Sequence, residues 1–526
     1  MAGQRPMTTC RPASRACRAA AWSIHAEQQP DARALSAMAS STCRPACPEH
    51  RHTSTTSDLP ARATPRHGTV PGVRRPARLS ALVLGGLAAL ALSGCVAQRP
   101  EDPVVLTGAQ VPRLIGADPG AVVAFRWLKD AWHQVPVQVD ERAGVDLGTV
   151  YNSTPVGITQ LTYTDPGTFT GPDPNPKVDG DDEIALMGID AGVRAPSGSR
   201  PPGVVAGSGH EVQITDSVGE PTPAYVYLFR QTGGLDPSAG RSYVTYRFGL
   251  RSGAYKTTYR LQQGPNPEDS TVTTDTYTRH FSDRWIDDGI TVRAGGATGA
   301  DILDRHKNLF APGSCGRSED TFSAAEGAFT VNKSGPVRAL RGYVGANSGP
   351  FTQRLHVFYQ RREVITTFLR VHAIPSVMDF LDYSPAASGM TYRNNRNTGG
   401  VTVNGVPDTV TAGSLSWESV DGSQGGLTSV HVIDTDIPGF ATTSYYLDQK
   451  SPNSTTERQC TGDAFSYGAS GPFVNQGLPN TDSRLGAANR LTVARHLFFT
   501  APGASDGPRR AQQVAEPLRV AVATRD

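Results

Sequence analysis

Short runs in which apolar and polar residues alternate recur along the chain after residue 105, separated by clusters of turn-forming residues. A period of two is typical of half-buried β-strands, because successive side chains point to opposite faces of a sheet. Such runs occupy residues 122–127, 135–139, 225–229, 243–248, 271–278, 337–343, 427–433 and 491–499. Only two segments, residues 301–310 and 376–381, favour short helices. The pattern predicts an all-β protein, a large antiparallel β-sandwich or double-sheet fold with few short helices.

Glycine and proline strengthen this prediction and indicate a domain boundary. The chain has 55 Gly and 40 Pro among 526 residues, enough to supply turns between many short strands. Residues 232–241 interrupt the alternating pattern with three glycines and a proline. We therefore expect an N-terminal β domain at 105–232 and a large β-sandwich domain at 241–526.

Residues 353–359 and 363–373 predict a long antiparallel hairpin in which Tyr359 lies opposite Glu363. On this register one face is apolar, and the other is mixed. The mixed face carries Arg354, His356, Arg370 and His372 together with Phe358, Val364, Thr366 and Phe368. Guanidinium groups bind carboxylates through two hydrogen bonds, and neutral imidazole accepts a proton, so the four basic residues are candidate catalytic groups. The alternative is a partly solvated sheet face without a ligand.

Polar and aromatic residues are concentrated after this hairpin. Asp379, Asp382 and Tyr383 are further candidate catalytic residues, and Tyr392, Arg393 and Asn394 are candidate substrate-binding residues. A separate cluster before the hairpin, Asp283, Trp285, Asp287 and Asp288, offers the same combination, with Trp285 as a further candidate substrate-binding residue. Aromatic rings beside carboxylates and amides suit sugars, which have apolar ring faces and many hydroxyl groups. Paired acids would serve glycoside cleavage, whereas His, Tyr and Arg would serve a lyase acting beside a uronate carboxylate. Neither cluster has diagnostic spacing, and turn-forming Asp is the alternative explanation.

An acidic loop at residues 173–183 indicates a calcium site. Its Asp179, Asp181 and Glu183, together with Asp140, offer the oxygen ligands that Ca²⁺ prefers. An EF-hand is excluded, because Ile184 or Val178 stands where the turn glycine would be needed. The alternatives are an irregular calcium site and a solvated acidic turn.

Several common catalytic motifs are missing from the sequence. It contains no Gly-x-Ser-x-Gly, no His-Glu-x-x-His, no phosphate-binding loop with Lys and no dinucleotide fingerprint. Hydrolases of the common α/β type are therefore not expected.

The segment Leu92-Ser93-Gly94-Cys95 ends an apolar run that begins at Leu79 and follows three arginines. This order of charge, apolar residues and small residues is that of a signal peptide. With its cysteine, the segment resembles the signal of bacterial lipoproteins, which implies a signal peptide at 70–94 and lipid on Cys95. Residues 95–104 would form a tether. Residues 1–69 are expected to be an untranslated stretch or a disordered extension, with translation starting near Val70 or Val73.

Removing residues 1–94 changes the charge of the chain. They contain 12 Arg, no Lys and 4 acidic residues, which leaves 38 basic and 44 acidic residues and a formal charge of −6. A mildly acidic chain without a basic stripe does not favour nucleic acid as a partner. After Cys95 only Cys315 and Cys460 remain, and in an oxidising compartment such a pair is expected to form a disulfide.

The long paired strands, polar sheet faces and aromatic loops of residues 241–526 resemble, in style, the large β-sandwiches of mutarotase-like and polysaccharide-lyase families. No family motif matches, so the resemblance implies no catalytic residue. We expect an exported protein, anchored to the membrane through Cys95, that acts on or binds a polysaccharide as a hydrolase or lyase. The alternative is a non-catalytic glycan-binding or structural lipoprotein.

Overall fold

The computed structural model describes residues 99–219, 222–255, 267–310, 327–345, 349–370, 373–451, 466–479 and 490–526. All of them fall in a single unit spanning residues 88–526. Antiparallel strands dominate this part of the chain, which confirms the predicted all-β class. None of the helices formed by these residues combines the length and the apolar character that crossing a membrane requires.

A nine-stranded antiparallel sheet, here called the large sheet, is the framework of the fold. In spatial order its strands are β15 (Gly327–Ser334), β16 (Ala339–Gly345), β17 (Thr352–Phe358), β18 (Arg362–Leu369), β26 (Leu491–Thr500), β23 (Gly425–Thr435), β22 (Trp417–Gly422), β20 (Thr391–Asn394) and β21 (Asn397–Thr402). The central strand β26 is paired with β18 on one side and β23 on the other.

Two four-stranded sheets pack on one face of the large sheet. The first contains β10 (Thr245–Arg247), β11 (Ser270–Thr273), β12 (Tyr277–Phe281) and β13 (Asp287–Val292). The second contains β14 (Leu303–Phe310), β19 (Val377–Tyr383), β25 (Ser466–Val474) and β24 (Thr443–Gln449). One apolar core joins all three, with Tyr277, Leu381 and Leu427 among its members. The arrangement is a β-sandwich, because apolar faces of separate sheets meet across this core.

Both segments predicted as helices, residues 301–310 and 376–381, are strands instead. They form β14 and β19, which pair with each other, Leu309 lying opposite Met378. A helix in either segment would leave that strand's hydrogen-bonding edge unpaired inside the sandwich, so tertiary pairing overrides the weak local preference.

The predicted hairpin is present, but its register differs by one residue. Phe358, not Tyr359, lies opposite Glu363, and the turn contains two residues because the Tyr359 amide donates to the Arg362 carbonyl oxygen at 2.8 Å. Arg354 and His356 therefore share a face with Glu363 and not with Arg370. The predicted grouping of Arg370 with these two residues is wrong, since a one-residue shift moves every side chain of a strand to the other face.

Three smaller sheets are built mainly from residues 103–230. The first has β1 (Pro103–Thr107), β7 (Glu183–Met187) and β4 (Gln138–Asp140), and the second has β5 (Arg142–Asp146) and β6 (Thr159–Tyr163). The third has β27 (Arg519–Arg525), β8 (Gly209–Thr215), β9 (Ala224–Arg230), β2 (Val122–Leu128) and β3 (Ala131–Val135). The C-terminal strand β27 thus joins a sheet of the N-terminal segment. The predicted division into 105–232 and 241–526 stays a prediction.

Two α-helices lie within the described residues, α1 (Leu147–Asn152) and α2 (Gly507–Ala515). Single 3₁₀ turns occupy Gly108–Gln110, Pro112–Leu114, Pro119–Ala121, Gly188–Asp190, Gly349–Phe351 and Pro385–Ala387. Helix α2 covers the outer face of the large sheet, where Trp417 and Phe498 form a small core with Val514. Gly507 is required at the start of α2, because a Cβ atom there would collide with the Trp417 ring.

A fully buried ion pair connects the first four-stranded sheet to the large sheet. Arg341 of β16 donates to both carboxylate oxygens of Glu268, at 2.6 and 3.0 Å, and neither side chain is exposed. Its guanidinium carbon also lies 4.3 Å from the centre of the Phe281 ring. Two hydrogen bonds in a fixed geometry compensate for much of the cost of taking both charges out of water.

We predict that Glu268→Gln lowers the free energy of unfolding by about 3–5 kcal/mol, because it leaves the Arg341 charge buried without a counter-charge. The matched control is Asp269→Asn, since Asp269 pairs with Arg247 on the surface, where both side chains are more than half exposed. That change should cost less than about 1 kcal/mol. Urea unfolding of both variants tests this, and equal effects would contradict it.

Candidate functional site

Charged and polar side chains form a group between the large sheet and the two sheets that cover it. This group, here called the interior polar cluster, contains Arg279, Asp287, His306, Arg354, His356, Glu363, Asp379 and Arg495. Cross-strand pairing brings its members together, since Ile365 lies opposite both His356 and Arg495. Alternation then directs every second residue of these strands inward.

Asp379 is the most highly connected carboxylate of the cluster. One of its oxygens lies 2.6 Å from His306 Nε2 and 3.1 Å from Arg495, and the other lies 2.9 Å from Arg354. Burial alone would raise the pKa of the Asp379 carboxyl, but Arg495, His306 and Arg354 hold it well below its usual range. Asp379 is therefore ionised at any physiological pH.

Glu363 has the opposite character. Burial raises the pKa of the Glu363 carboxyl to about 8, with Arg279 opposing this rise and Asp287 adding to it. Its oxygens lie 2.8 Å from Arg279 Nε and 2.8 Å from His356 Nδ1. Glu363 is thus largely protonated at neutral pH and can act as a proton donor.

A continuous chain of side chains connects these two carboxyl groups. Arg279 pairs with Asp287 as well as with Glu363, and Asp287 lies 3.6 Å from His306 Nδ1. His306 in turn contacts Asp379. The cluster therefore holds two carboxyl groups whose pKa values are shifted in opposite directions, joined through Arg279, Asp287 and His306, which is an arrangement that acid–base chemistry can use.

His356 is a neutral, fully buried imidazole of the cluster. Burial lowers the pKa of His356 well below its usual range, and Arg354 and Arg341 lower it further. Its Nε2 lies 2.9 Å from the Tyr343 hydroxyl group. Because Nδ1 faces Glu363 and Nε2 faces Tyr343, both ring nitrogens have partners.

The predicted catalytic residues fall into two groups. Arg354, His356 and Asp379 meet in the interior polar cluster. Asp382 points to the opposite face of β19, where it accepts from Lys307 at 2.6 Å and from the Ser466 hydroxyl at 2.9 Å. Tyr383 is buried in the sandwich core, and Arg370 donates to Gln353 at 3.0 Å. His372 lies outside the described residues.

The predicted substrate-binding residues are also divided. The Trp285 ring is 1% exposed. Its centre lies 4.7 Å from that of the Tyr343 ring and 5.2 Å from the Arg354 guanidinium carbon, so the ring packs against the cluster. Tyr392 donates to buried Glu418 at 3.2 Å and accepts from Asn394 at 2.9 Å. Arg393 lies between Tyr392 and Asn394 in sequence, but its side chain is on the other face of the large sheet. These four residues therefore do not form one binding site.

Sequence reasoning missed Glu363, His306, Arg279 and Arg495 as site residues. Each is a buried ionisable residue of a strand, and one of its neighbours in the chain, on the other face, is also ionisable. Such a residue on an inward-facing position must find a partner, so its occurrence in a strand is itself a signal. His306 was also hidden because its segment was predicted as a helix.

The acidic residues predicted to bind calcium have partners within the protein. Asp140 lies 2.8 Å from Arg338, and Glu183 lies 2.7 Å from both Arg338 and Arg142. The Asp181 carboxyl donates a hydrogen bond to Asp179, and this raises the pKa of Asp181 to about 6. Across the described ranges, no three His, Cys, Asp or Glu side chains are grouped as metal ligands. The calcium site stays a prediction, as do lipidation of Cys95 and the Cys315–Cys460 disulfide, whose residues lie outside the described part.

Comparison with known proteins assigns no family to this chain. No protein-family model matches it, and no curated protein matches it. Among solved structures it resembles a candidate aldose 1-epimerase of Escherichia coli K12, with 10% sequence identity and a TM-score of 0.25, over 49% of this chain and 100% of that chain. This distant resemblance concerns a mutarotase, but at this TM-score it carries no argument about fold or function.

We predict that Glu363→Gln reduces the pH dependence of stability. The pKa of Glu363 rises from 4.5 to about 8 on folding, so this group stabilises the fold fully below pH 4.5 and less as pH rises through 8. Glutamine mimics the protonated carboxyl and removes that dependence. The measurement is the urea midpoint between about pH 5 and 9.

The control for this experiment is Glu516→Gln, since Glu516 is exposed on the surface. In this variant the urea midpoint should fall with rising pH as it does in the wild type. Parallel curves for wild type and Glu363→Gln would show that Glu363 is already ionised in the folded protein at neutral pH.

Proposed function

We propose that this chain is an envelope-anchored carbohydrate-active protein that hydrolyses a polysaccharide at the interior polar cluster. The proposal is carried by the contacts that join Glu363 to Asp379 in one cluster, whose surroundings shift the pKa values of the two carboxyl groups in opposite directions. Glycoside hydrolysis uses one carboxyl group as proton donor and a second, ionised one as base or nucleophile. Glu363 would protonate the leaving glycosidic oxygen, and Asp379 would take a proton from the attacking water.

Exposure within the cluster supports Asp379 as the group that meets substrate. Its side chain retains 12% exposure, whereas those of His306, Arg354 and Arg495 retain 1–3% and that of Glu363 retains none. The proton of Glu363 would therefore have to reach the substrate through other members of the cluster.

A second candidate function is a non-catalytic glycan-binding or structural role. The observation that favours it is the near-complete burial of the cluster, in which charge is neutralised by charge. Buried ion pairs of this kind also occur in proteins where they serve the fold alone. The two candidates differ in one measurable property, because a structural cluster has no turnover to lose.

A lyase would use the same cluster differently. His356 would have to act as the base that removes a proton beside a uronate carboxylate, but its lowered pKa and its contacts with Tyr343 and Glu363 disfavour this role. Lyase products carry a new double bond and absorb ultraviolet light, whereas hydrolase products carry only new reducing ends. One screen that follows both signals separates the two reactions.

The anchoring part of the proposal has a consequence for where the protein would work. Arg99 is 2% exposed, pairs with Asp102 at 2.7 Å and donates to the Glu516 carbonyl oxygen at 2.8 Å. Only three residues separate it from Cys95, so a lipid on that cysteine would lie within about 14 Å of the folded body. The protein would then work close to the membrane surface, on envelope glycans or nearby fragments.

We predict that Cys95→Ser abolishes incorporation of labelled palmitate and moves the protein from the detergent phase to the aqueous phase. The reason is that the thiol of this residue is the proposed acylation site and no other anchor is proposed. Cys47→Ser, in the stretch expected to be untranslated, is the control and should change nothing. Palmitate on the Cys95→Ser protein would refute the anchor.

We predict that Glu363→Gln lowers turnover about 100-fold or more, because the amide cannot donate the proton that general acid catalysis requires. The assay uses the chain from Val96 against a panel of plant, microbial and envelope polysaccharides, followed by reducing ends and ultraviolet absorbance. Folding is checked by thermal melting, which should be unchanged near pH 6, where glutamine mimics the protonated side chain.

Glu516→Gln is again the control and should keep full turnover. If Glu363→Gln stays folded and equally active, the hydrolytic role of the cluster is wrong. If the wild type releases no product from any polysaccharide, the structural or binding role is the better account.

A further inference from the structure

One fully buried ion pair of the sandwich contains a lysine. Lys307 Nζ lies 2.6 Å from Asp382 Oδ2, and neither side chain has any exposed area. Lys307 belongs to β14 and Asp382 to the neighbouring strand β19, where Lys307 lies opposite Phe380 and Asp382 lies opposite Arg305. The two side chains therefore meet diagonally across the strand pair, on the face that points away from the interior polar cluster.

The residues that share this face are mainly apolar. Leu309 of β14 and Phe380 of β19, each two positions from a member of the pair, belong to a small core with Met378, Tyr445 and Phe473. Complete burial removes the water that stabilises an ammonium group and a carboxylate. The proton can then pass from Nζ to the carboxylate, which leaves a neutral amine beside a neutral acid.

A buried lysine is an exception in this chain. Only six of its 50 basic residues are lysines, and of the five that the structure describes Lys307 alone is buried. Arginine supplies the other buried long cations of the described strands, as at positions 279, 341 and 354. Arginine suits a buried ion pair better, because its guanidinium forms two hydrogen bonds with a carboxylate. Lysine differs in that its neutral amine is a nucleophile.

The two oxygens of the Asp382 carboxyl group have different partners. Oδ2 faces Nζ, whereas Oδ1 accepts a hydrogen bond from the Ser466 hydroxyl at 2.9 Å. The same hydroxyl also lies 3.1 Å from the Leu447 carbonyl oxygen. The carboxyl carbon is one bond beyond Oδ2, so it lies roughly 3–4 Å from Nζ, near the ~3–3.5 Å that separates atoms poised to react.

We propose that Lys307 and Asp382 form an intramolecular isopeptide bond, so that this pair is a self-processing crosslink site. The Nζ lone pair attacks Asp382 Cγ, and a C–N bond replaces the bond between Cγ and Oδ2. Oδ2 takes one proton from the nitrogen and leaves with the proton of the acid as water, so the step needs no oxidant and no further reactant. The Ser466 hydroxyl stabilises the negative charge that develops on Oδ1, which remains as the amide oxygen.

The crosslink holds the register of β14 and β19. The opposite face of these strands carries His306 and Asp379 into the interior polar cluster, where the two side chains lie 2.6 Å apart. The bond joins residues that are 75 positions apart, so it also restricts the unfolded chain. It needs no substrate and therefore does not depend on the proposed hydrolysis.

The test is tryptic peptide mapping of the purified full chain after reduction and alkylation, which remove any disulfide. Trypsin does not cleave after a lysine whose amine is part of an amide, so residues 306–317 should remain joined to residues 371–393. The branched peptide should weigh about 18 Da less than the sum of the two linear peptides, because one water is lost. Recovery of residues 308–317 and of a free 371–393 peptide from the wild type would overturn the inference.

Lys307→Arg keeps the positive charge but removes the amine, so it should release peptide 371–393 in free form. The matched control is Lys333→Arg, since Lys333 lies 3.6 Å from Asp140 but is 29% exposed. This control should keep the branched peptide, and trypsin should cleave normally after Lys333 in the wild type. A branched peptide that persists in Lys307→Arg would reject the assignment. The wild-type digest decides the question even if the Lys307→Arg protein folds poorly.

Discussion

Burial of charge inside a β-sandwich is the constraint on which the rest of this structure depends. A guanidinium or carboxylate in the interior is tolerated only with a counter-charge and hydrogen bonds in good geometry. Arg341 meets Glu268 in the interior, and Asp379 meets two arginines and a histidine drawn from three strands. Each pair fixes strand register, because a one-residue slip would send the charge to the opposite face and leave its partner unpaired.

The alternating pattern was sufficient to predict the class of the fold but not its details. Long alternating runs such as residues 427–433 and 491–499 became central strands. The helices predicted at residues 301–310 and 376–381 were wrong. A short segment carries too little periodicity to distinguish a helix from a strand, and the pairing of these two segments with each other is a long-range contact. The hairpin register failed by one residue because its turn, Gln360-Arg361, contains no Gly or Asn to mark a two-residue loop.

The candidate site was predictable only where its residues are close in sequence. Arg354, His356 and Asp379 were identified from one hairpin and the strand that follows it. His306 and Arg495 were not, since they lie 73 and 116 residues from Asp379 along the chain. A single sequence gives no signal that such distant residues meet. It shows only that ionisable residues occur within strands, which indicates buried pairs in general and no particular partner.

The two faces of the large sheet carry different chemistry. Arg354, Glu363 and Arg495 point from β17, β18 and β26 into the interior polar cluster. Trp417 and Phe498 point to the outer face, where helix α2 covers them. Alternation along one strand, β26, thus places a charge inside the sandwich, where it needs a partner, and an aromatic ring outside, where a helix supplies the cover.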